Sequence, residues 1–220
     1  MELLQILYPR VCPVCGQLIP INRAFCACSD GPAQHVPADA VLCSDQDAIR
    51  LAHICAPYYY EGIIRQQLLG LKFHNQTKYV RSLSFAMAQQ VSMVYADVSF
   101  DCVTFVPMTQ PDIRTRAFNQ SALLAQSIAK QLFIQCSALL EKTQLTVPQH
   151  TLNQSDRLQN LEHVFEATDL CKPGSTVLLV DDIKTTGTTL YRCCEALKKA
   201  GVHDVYCVCA AVTRSPSPDF

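Results

Sequence analysis

The sequence has little charge and no long hydrophobic run. Only 17% of its residues are charged, and 18 Lys and Arg stand against 19 Asp and Glu, a net charge of −1. This balance excludes a strongly basic nucleic-acid coat but leaves room for a local basic patch. The longest apolar run, residues 205–212 (VYCVCAAV), is too short to span a bilayer, so we do not expect an integral membrane protein.

Three sequence signatures are also missing. The first residues, MELLQILYPRVCPVCG, place no basic segment before an apolar stretch. We therefore expect no signal peptide and predict a cytoplasmic protein, with a peripheral position at the inner face of the membrane left open. Neither the Walker signature GK[ST] nor the dinucleotide fingerprint GxGxxG occurs, which argues against these two classes of nucleotide site.

Cysteine, in contrast, is abundant, with 13 among 220 residues and six in the first 55. An odd number fits complete disulfide pairing poorly, so we expect mostly reduced thiols, some of them holding a metal. Zinc takes four tetrahedral N or S ligands. We predict a structural zinc site formed by Cys12 and Cys15 plus two of Cys26, Cys28 and Cys43. The outside candidates are His35 and Cys55, and a degenerate finger without metal is the alternative.

The chain divides into two parts by composition. We predict that residues 1–57 form a cysteine-rich zinc-finger module, whereas residues 58–220 show the ordinary periodic patterns of a folded domain. Apolar spacing predicts helices over residues 61–72, 81–95, 119–132 and 188–200 and strands over 101–106, 176–180 and 205–212. Alternating strands and helices predict an α/β fold with a mostly parallel sheet flanked by helices. The cysteines after residue 100 fall within apolar segments, where packing is the expected role.

The most informative segment is residues 177–189, VLLVDDIKTTGTT. An apolar strand leads into Asp181 and Asp182, and a loop of Thr and Gly then opens a helix. Backbone N–H groups, hydroxyls and a helix N-terminus favour phosphate binding. Adjacent carboxylates repel phosphate but accept hydrogen bonds from hydroxyls. A ribose 5-phosphate satisfies both features, whereas the alternative is that the acids cap the helix and the threonines satisfy a turn.

This segment resembles the phosphoribosyl pyrophosphate (PRPP) motif of type I phosphoribosyltransferases, and the wider pattern resembles the ComF (ComFC) family. Residues 105–125, FVPMTQPDIRTRAFNQSALLA, are similar to the family's VPVP…R…RGFNQS…LA segment. Residues 69–73, LGLKF, are similar to its "lKf" helix end. One departure from the family pattern is Ala117, where the family has Gly. This substitution strains the backbone only if residue 117 adopts a positive φ.

The resemblance implies a role for each matching residue. Asp181 and Asp182 would bind the ribose hydroxyls, and the loop that holds the 5-phosphate would consist of Thr185, Thr186, Gly187, Thr188 and Thr189. Mg²⁺ would bridge the pyrophosphate and ribose oxygens. The cations that would stabilise a leaving pyrophosphate are Lys72, Arg114, Arg116 and Arg157, each with an alternative as a solvated surface charge. The family's N-terminal zinc finger agrees with the cysteine pairs.

Three functions are compatible with these residues. The first is a ComF-like, PRPP-binding protein that supports natural transformation by handling single-stranded DNA beside other competence proteins such as a helicase. The second is an active phosphoribosyltransferase with a base-like acceptor, and the third is a zinc-scaffolded interaction module with a vestigial site. For DNA, residues 58–96 carry four basic side chains against Glu61, and among them we expect Lys72 and Arg81 to contact phosphates.

Overall fold

The computed structural model describes residues 53–143 and 165–214, together with Leu18 and Val36. The helices in this part of the chain are α1 (Gly62–Phe73), α2 (Val80–Val94), α3 (Gln110–Arg116), α4 (Gln120–Leu132) and α5 (Thr188–Lys199). Its strands are β1 (His53–Cys55), β2 (Tyr58–Tyr59), β3 (Cys102–Phe105), β4 (Leu140–Lys142), β5 (Phe165–Ala167), β6 (Thr176–Lys184) and β7 (Asp204–Val212). None of these helices has both the length and the hydropathy of a membrane span.

The principal sheet has the strand order β1-β7-β6-β3, and β2 also pairs with β7. Each of these pairs is parallel. Strands β4 and β5 form a separate antiparallel pair. The architecture confirms the predicted α/β fold with a parallel sheet flanked by helices.

Both faces of the sheet are covered by apolar side chains. On one face, Leu178 and Val180 of β6 pack with buried residues of α1, α2 and α4. On the other face, Val177 and Leu179 pack with α5. This alternation follows from the two-residue repeat of a strand and explains why residues 177–180 of β6 are all apolar. The expected packing role of the late cysteines holds for the buried thiols of Cys193, Cys194, Cys207 and Cys209.

The predicted helices and the strands β3 and β7 agree with the structure to within one or two residues. Strand β6 differs, because we predicted its end at Val180 and it continues to Lys184. The reason is its neighbour: β7 runs on beside it, and the pairing extends to Lys184 and Val212. Asp181 and Asp182 are therefore part of a strand rather than of the loop that follows it.

Strands β1, β2, β4 and β5 and helix α3 were not predicted from the sequence. These strands have only two or three residues each, too few for a period of two to be recognised. The division of the chain after residue 57 stays a prediction, although β1 lies before that point and pairs with β7.

The connection from α3 to α4 has a defined geometry. Ala117, which ends α3, has a φ of 66°, in the left-handed region that favours glycine. Asn119 then begins α4: its side-chain oxygen accepts from the N–H of Ala122 at 3.2 Å. The Asn119 amide also donates to the carbonyl oxygen of Val106 at 3.0 Å, which ties the start of α4 to the end of β3.

We predict that Ala117→Gly stabilises the protein. A left-handed alanine costs about 1–2 kcal/mol, and the greater freedom of glycine in the unfolded chain offsets part of the gain. The expected rise in the free energy of unfolding, measured by urea denaturation, is about 0.5–1 kcal/mol. The control Ala86→Gly, inside α2, should instead lower it by about 1 kcal/mol. Equal effects of the two substitutions would show that residue 117 carries no backbone strain.

Candidate functional site

Several elements bring polar groups to the edge of the sheet at which β3, β6 and β7 end, here called the carboxyl edge. Helix α3 follows β3, α4 is tied to the residue after β3 by Asn119, and α5 follows β6. Three helices therefore begin at this edge, and their N-termini place partial positive charge there. In open parallel sheets, ligands bind at this edge.

Asp181 is the buried acid of the site, with only 8% of its surface exposed. The hydroxyl of Ser121, in the first turn of α4, donates to Asp181 Oδ1 at 2.8 Å. The N–H of Asp182 donates to the same oxygen at 2.9 Å. Burial and the charge of Asp182 raise the pKa of Asp181 from 3.8 to about 7, against the opposing effects of these two hydrogen bonds and of Lys72. The carboxyl group therefore changes its charge near neutral pH.

Residues 185–189, here called the threonine loop, join β6 to α5. The four threonines of the loop are exposed, whereas Gly187 is buried and has a φ of 86°. The hydroxyls of Thr186 and Thr188 lie 3.0 Å apart. Gly187 begins α5 without a side-chain cap. The Thr186 hydroxyl accepts from the N–H of Thr188, the first residue of α5, at 3.4 Å. The start of α5 thus combines backbone N–H groups with exposed hydroxyls, an arrangement that suits an oxyanion.

Two of the predicted cations lie at the carboxyl edge. Lys72, near the end of α1, acts electrostatically on Asp181. Arg116, at the end of α3, has its guanidinium carbon 5.7 Å from the centre of the Phe73 ring. Arg114 is exposed on the same helix as Arg116, Arg81 is exposed in the first turn of α2, and Arg157 lies outside the described residues.

Sequence reasoning missed two residues of this site. Ser121 belongs to the FNQS segment, but its hydroxyl could be assigned to Asp181 only after α4 had been placed against β6. Lys142 belongs to none of the recognised sequence motifs. Its charge lowers the pKa of Asp112, which the Thr109 hydroxyl lowers more strongly, and it opposes the rise in the pKa of Cys193 caused by burial and Asp181. Lys142 is therefore a third cation beside α3 and α5.

The predicted zinc ligands belong to the first 43 residues of the chain. Cys12, Cys15, Cys26, Cys28 and Cys43 lie outside the described residues, as does His35. Cys55 is described and lies buried in β1, where burial raises the pKa of its thiol to about 12. Within residues 53–143 and 165–214, no group of three His, Cys, Asp or Glu residues is placed to hold a metal.

Comparisons with known proteins match a family domain to the part of the chain that forms this edge. The family described as "Phosphoribosyl transferase domain" matches residues 119–218, which include α4, β6, the threonine loop and α5. The DNA utilization protein YhgH of Escherichia coli (strain K12) is 27% identical over 90% of this chain and 89% of that protein.

Two competence proteins are also similar. Competence protein ComFC of Bacillus subtilis (strain 168) is 23% identical over 87% of this chain and 73% of that protein. Competence protein F of Haemophilus influenzae is 34% identical over 41% of each chain. Among solved structures, the glutamine PRPP amidotransferase from B. subtilis, complexed with ADP and GMP, matches 60% of this chain and 26% of that one, with 23% identity and a TM-score of 0.44.

We predict that Asp181→Asn stabilises the unliganded protein above pH 7. Because the pKa of Asp181 is higher in the folded than in the unfolded chain, its contribution to stability is full below pH 3.8 and is lost as the pH rises to about 7. Asparagine avoids this loss. The free energy of unfolding at pH 8 should exceed that of the wild type by as much as about 4 kcal/mol.

The measurement is urea denaturation at pH 4.5, 6 and 8, with Asp97→Asn as the control at an exposed acid. The advantage of Asp181→Asn should grow with pH, and that of the control should stay constant. An Asp181→Asn variant that is less stable than the wild type at pH 8 would contradict the assigned burial of this charge.

Proposed function

Because the chain is a ComF-family protein with a phosphoribosyltransferase-like fold, we propose that its carboxyl edge binds the ribose 5-phosphate part of PRPP. This binding would serve a cytoplasmic protein that handles single-stranded DNA in natural transformation. One observation carries the proposal: the paired carboxylates near the end of β6 are followed, after Ile183 and Lys184, by the threonine loop and the start of α5.

The two halves of the site suit the two ends of a ribose 5-phosphate. Asp181 and Asp182 accept hydrogen bonds, as vicinal ribose hydroxyls require. The exposed hydroxyls of the threonine loop and the N-terminus of α5 donate to the phosphate. Ser121 has a positioning role, because its hydrogen bond fixes the Asp181 carboxylate against α4.

Magnesium fits this site only together with the ligand. Mg²⁺ is commonly held by one or two carboxylates together with phosphate oxygens and water. Asp181 and Asp182 supply two carboxylates, and no third acid joins them among the described residues. When bound, the ion would neutralise charge on the pyrophosphate. Lys72 and Arg116 would place positive charge beside that group, and Lys142 adds a third cation near α3 and α5.

The second candidate function is a reaction at the same site that transfers the phosphoribosyl group of PRPP to an acceptor. In that reaction the bond from ribose C1 to pyrophosphate breaks, a bond from C1 to a nitrogen of the acceptor forms, and the acceptor loses a proton. The three cations favour the leaving pyrophosphate. Pyrophosphate release in the presence of a panel of bases and nucleic acids distinguishes transfer from binding alone.

Two further parts of the proposal concern zinc and DNA. We propose that four of the five N-terminal cysteines hold a structural zinc ion.

The proposed DNA-binding surface includes Lys72 and Arg81, on either side of the turn from α1 to α2. Cations also lie over aromatic rings nearby: Lys78 over Tyr79 at 5.0 Å and Arg65 over Tyr60 at 6.0 Å. Cations and partly exposed rings together suit a single strand. Other competence proteins, such as a helicase, are the proposed partners.

We predict that the wild type binds PRPP with Mg²⁺ in a calorimetric titration and that Asp181→Ala/Asp182→Ala abolishes the heat of binding. Removing both acceptors leaves the ribose hydroxyls without partners, so affinity should fall by at least about tenfold. Asp182→Asn, at the less buried acid, gives a second variant that keeps the fold, and it should also weaken binding. Asp97→Asn is the control. An unchanged affinity of the double variant for PRPP would contradict the proposal.

We predict that Lys72→Glu/Arg81→Glu weakens the binding of an oligodeoxythymidylate. Loss of two phosphate contacts should make the slope of log K against log salt shallower by about 1.4, at about 0.7 per contact for single strands. Lys130→Glu/Lys172→Glu makes the same change of net charge at two exposed lysines outside the carboxyl edge. Equal losses in the two double variants, measured by fluorescence anisotropy, would assign the effect to net charge and not to this surface.

A further inference from the structure

A cavity of about 400 Å³ lies at the edge of the principal sheet at which β3 and β6 begin. We name it the amino-edge cavity. Its volume is within the range of about 300–1,000 Å³ that small-molecule sites occupy. The cavity is separate from the carboxyl edge, because the threonine loop and the start of α5 lie at the other end of β6. Its lining includes Asp101, Cys102, Gln135, Ser137, Leu170 and Lys172.

Hydrogen bonds fix the walls of the amino-edge cavity. The N–H of Thr176 donates to Asp101 Oδ2 at 2.8 Å, which joins the start of β6 to the residue before β3. The hydroxyl of Ser175 donates to the carbonyl oxygen of Lys172 at 2.7 Å and closes the turn that leads into β6. The two charged residues of the lining are therefore held at defined positions along the chain, next to the first residues of the two strands.

The cavity carries one charge of each sign. Asp101 and Lys172 are both exposed, and neither forms an ion pair with another residue in the described part of the chain. A ligand with an ammonium and a carboxylate of its own would pair with both charges. Gln135 and Ser137 add an amide and a hydroxyl, joined by a hydrogen bond of 3.3 Å, and such groups suit peptide N–H and C=O groups.

A thiol lies in the same cavity. Cys102, the first residue of β3, is partly exposed, and its thiol donates to the carbonyl oxygen of Val103 at 3.3 Å. Two further thiols are near: burial raises the pKa of Cys136 to about 11 and also raises that of Cys171, and the charge of Cys102 adds to both rises. The thiolate is the nucleophilic form of cysteine. Of these three thiols, Cys102 is the one that lines the cavity.

An ammonium, carboxylates, peptide groups and sulfur occur together in one class of small molecule, the thiol peptides, of which glutathione is an example. We propose that the amino-edge cavity binds the disulfide form of such a zwitterionic thiol and that Cys102 is a site of mixed-disulfide formation. In the complex, a carboxylate of the ligand pairs with Lys172 and an ammonium with Asp101. This inference does not depend on the proposed function of the carboxyl edge.

The reaction is a thiol–disulfide exchange. The Cys102 thiolate attacks one sulfur of the bound disulfide, the S–S bond of the ligand breaks, and a new S–S bond to Cys102 forms. The released half of the ligand leaves as a thiolate and takes up a proton. Cys102 is oxidised and the released half is reduced, so the ligand itself is the oxidant. Binding in the cavity places the two reacting sulfur atoms together and thereby raises the rate at this thiol.

The first measurement is the rate of adduct formation at each thiol. The full chain is treated with glutathione disulfide, and its peptides are analysed by mass spectrometry at successive times. Cys102 should gain one glutathionyl group at least about tenfold faster than Cys136 and Cys171, because neutral thiols are poor nucleophiles. An equal rate at either neighbour, or a disulfide between Cys102 and Cys171 as the main product, would overturn the proposal.

The second measurement tests recognition by charge. Hydroxyethyl disulfide undergoes the same exchange but is neutral, so the ratio of the rates at Cys102 with glutathione disulfide and with this reagent removes any effect on the thiol itself. Lys172→Gln should lower this ratio by about two- to fivefold, the range of an exposed charge pair. The control Lys130→Gln removes an exposed lysine on α4 and should leave the ratio unchanged. An unchanged ratio in Lys172→Gln, or equal falls in both variants, would overturn the proposal.

Discussion

The hydrogen bond from Ser121 to Asp181 joins the start of α4 to the end of β6, and the geometry of the carboxyl edge depends on it. Burial and the charge of Asp182 raise the pKa of Asp181 to about 7, and the Ser121 hydrogen bond opposes that rise. Asn119 fixes the same helix end to the residue after β3. The two contacts bring adjacent strands and one helix N-terminus into register, so the acids and the threonine loop meet at one place. A site of this kind costs folding stability while it is empty, and a bound ligand offsets that cost.

Sequence patterns predicted the parts of this edge that lie close together along the chain. The apolar run of β6, the two acids, the threonine loop and the first turn of α5 occupy consecutive positions and therefore form one recognisable motif. The length of β6 could not be predicted, because it depends on pairing with β7 up to Val212 rather than on β6 itself. Ser121 and Lys142 were missed for a related reason: their roles depend on contacts between elements far apart in sequence. The left-handed conformation of Ala117 agrees with the family's preference for glycine at that position.

Electrostatics at the carboxyl edge are local, as the net charge of −1 requires. Lys72, Arg116 and Lys142 come from α1, α3 and β4, and each was traced through its effect on a specific neighbour. Of these cations, Lys72 acts on Asp181 itself, and this combination of a cation with two carboxylates suits a ligand that carries both hydroxyls and phosphoryl groups. A uniformly basic surface would attract phosphate without fixing its orientation, whereas this arrangement distinguishes the two ends of a ribose phosphate.

The most direct test of the central claim is a crystal structure of the protein with ribose 5-phosphate. The account predicts that the phosphate lies within hydrogen-bond distance of the N–H groups and hydroxyls of the threonine loop. It also predicts that the vicinal hydroxyls lie against Asp181 and Asp182. A phosphate bound elsewhere, or a sugar in the reverse orientation with its hydroxyls away from these two carboxylates, would contradict it.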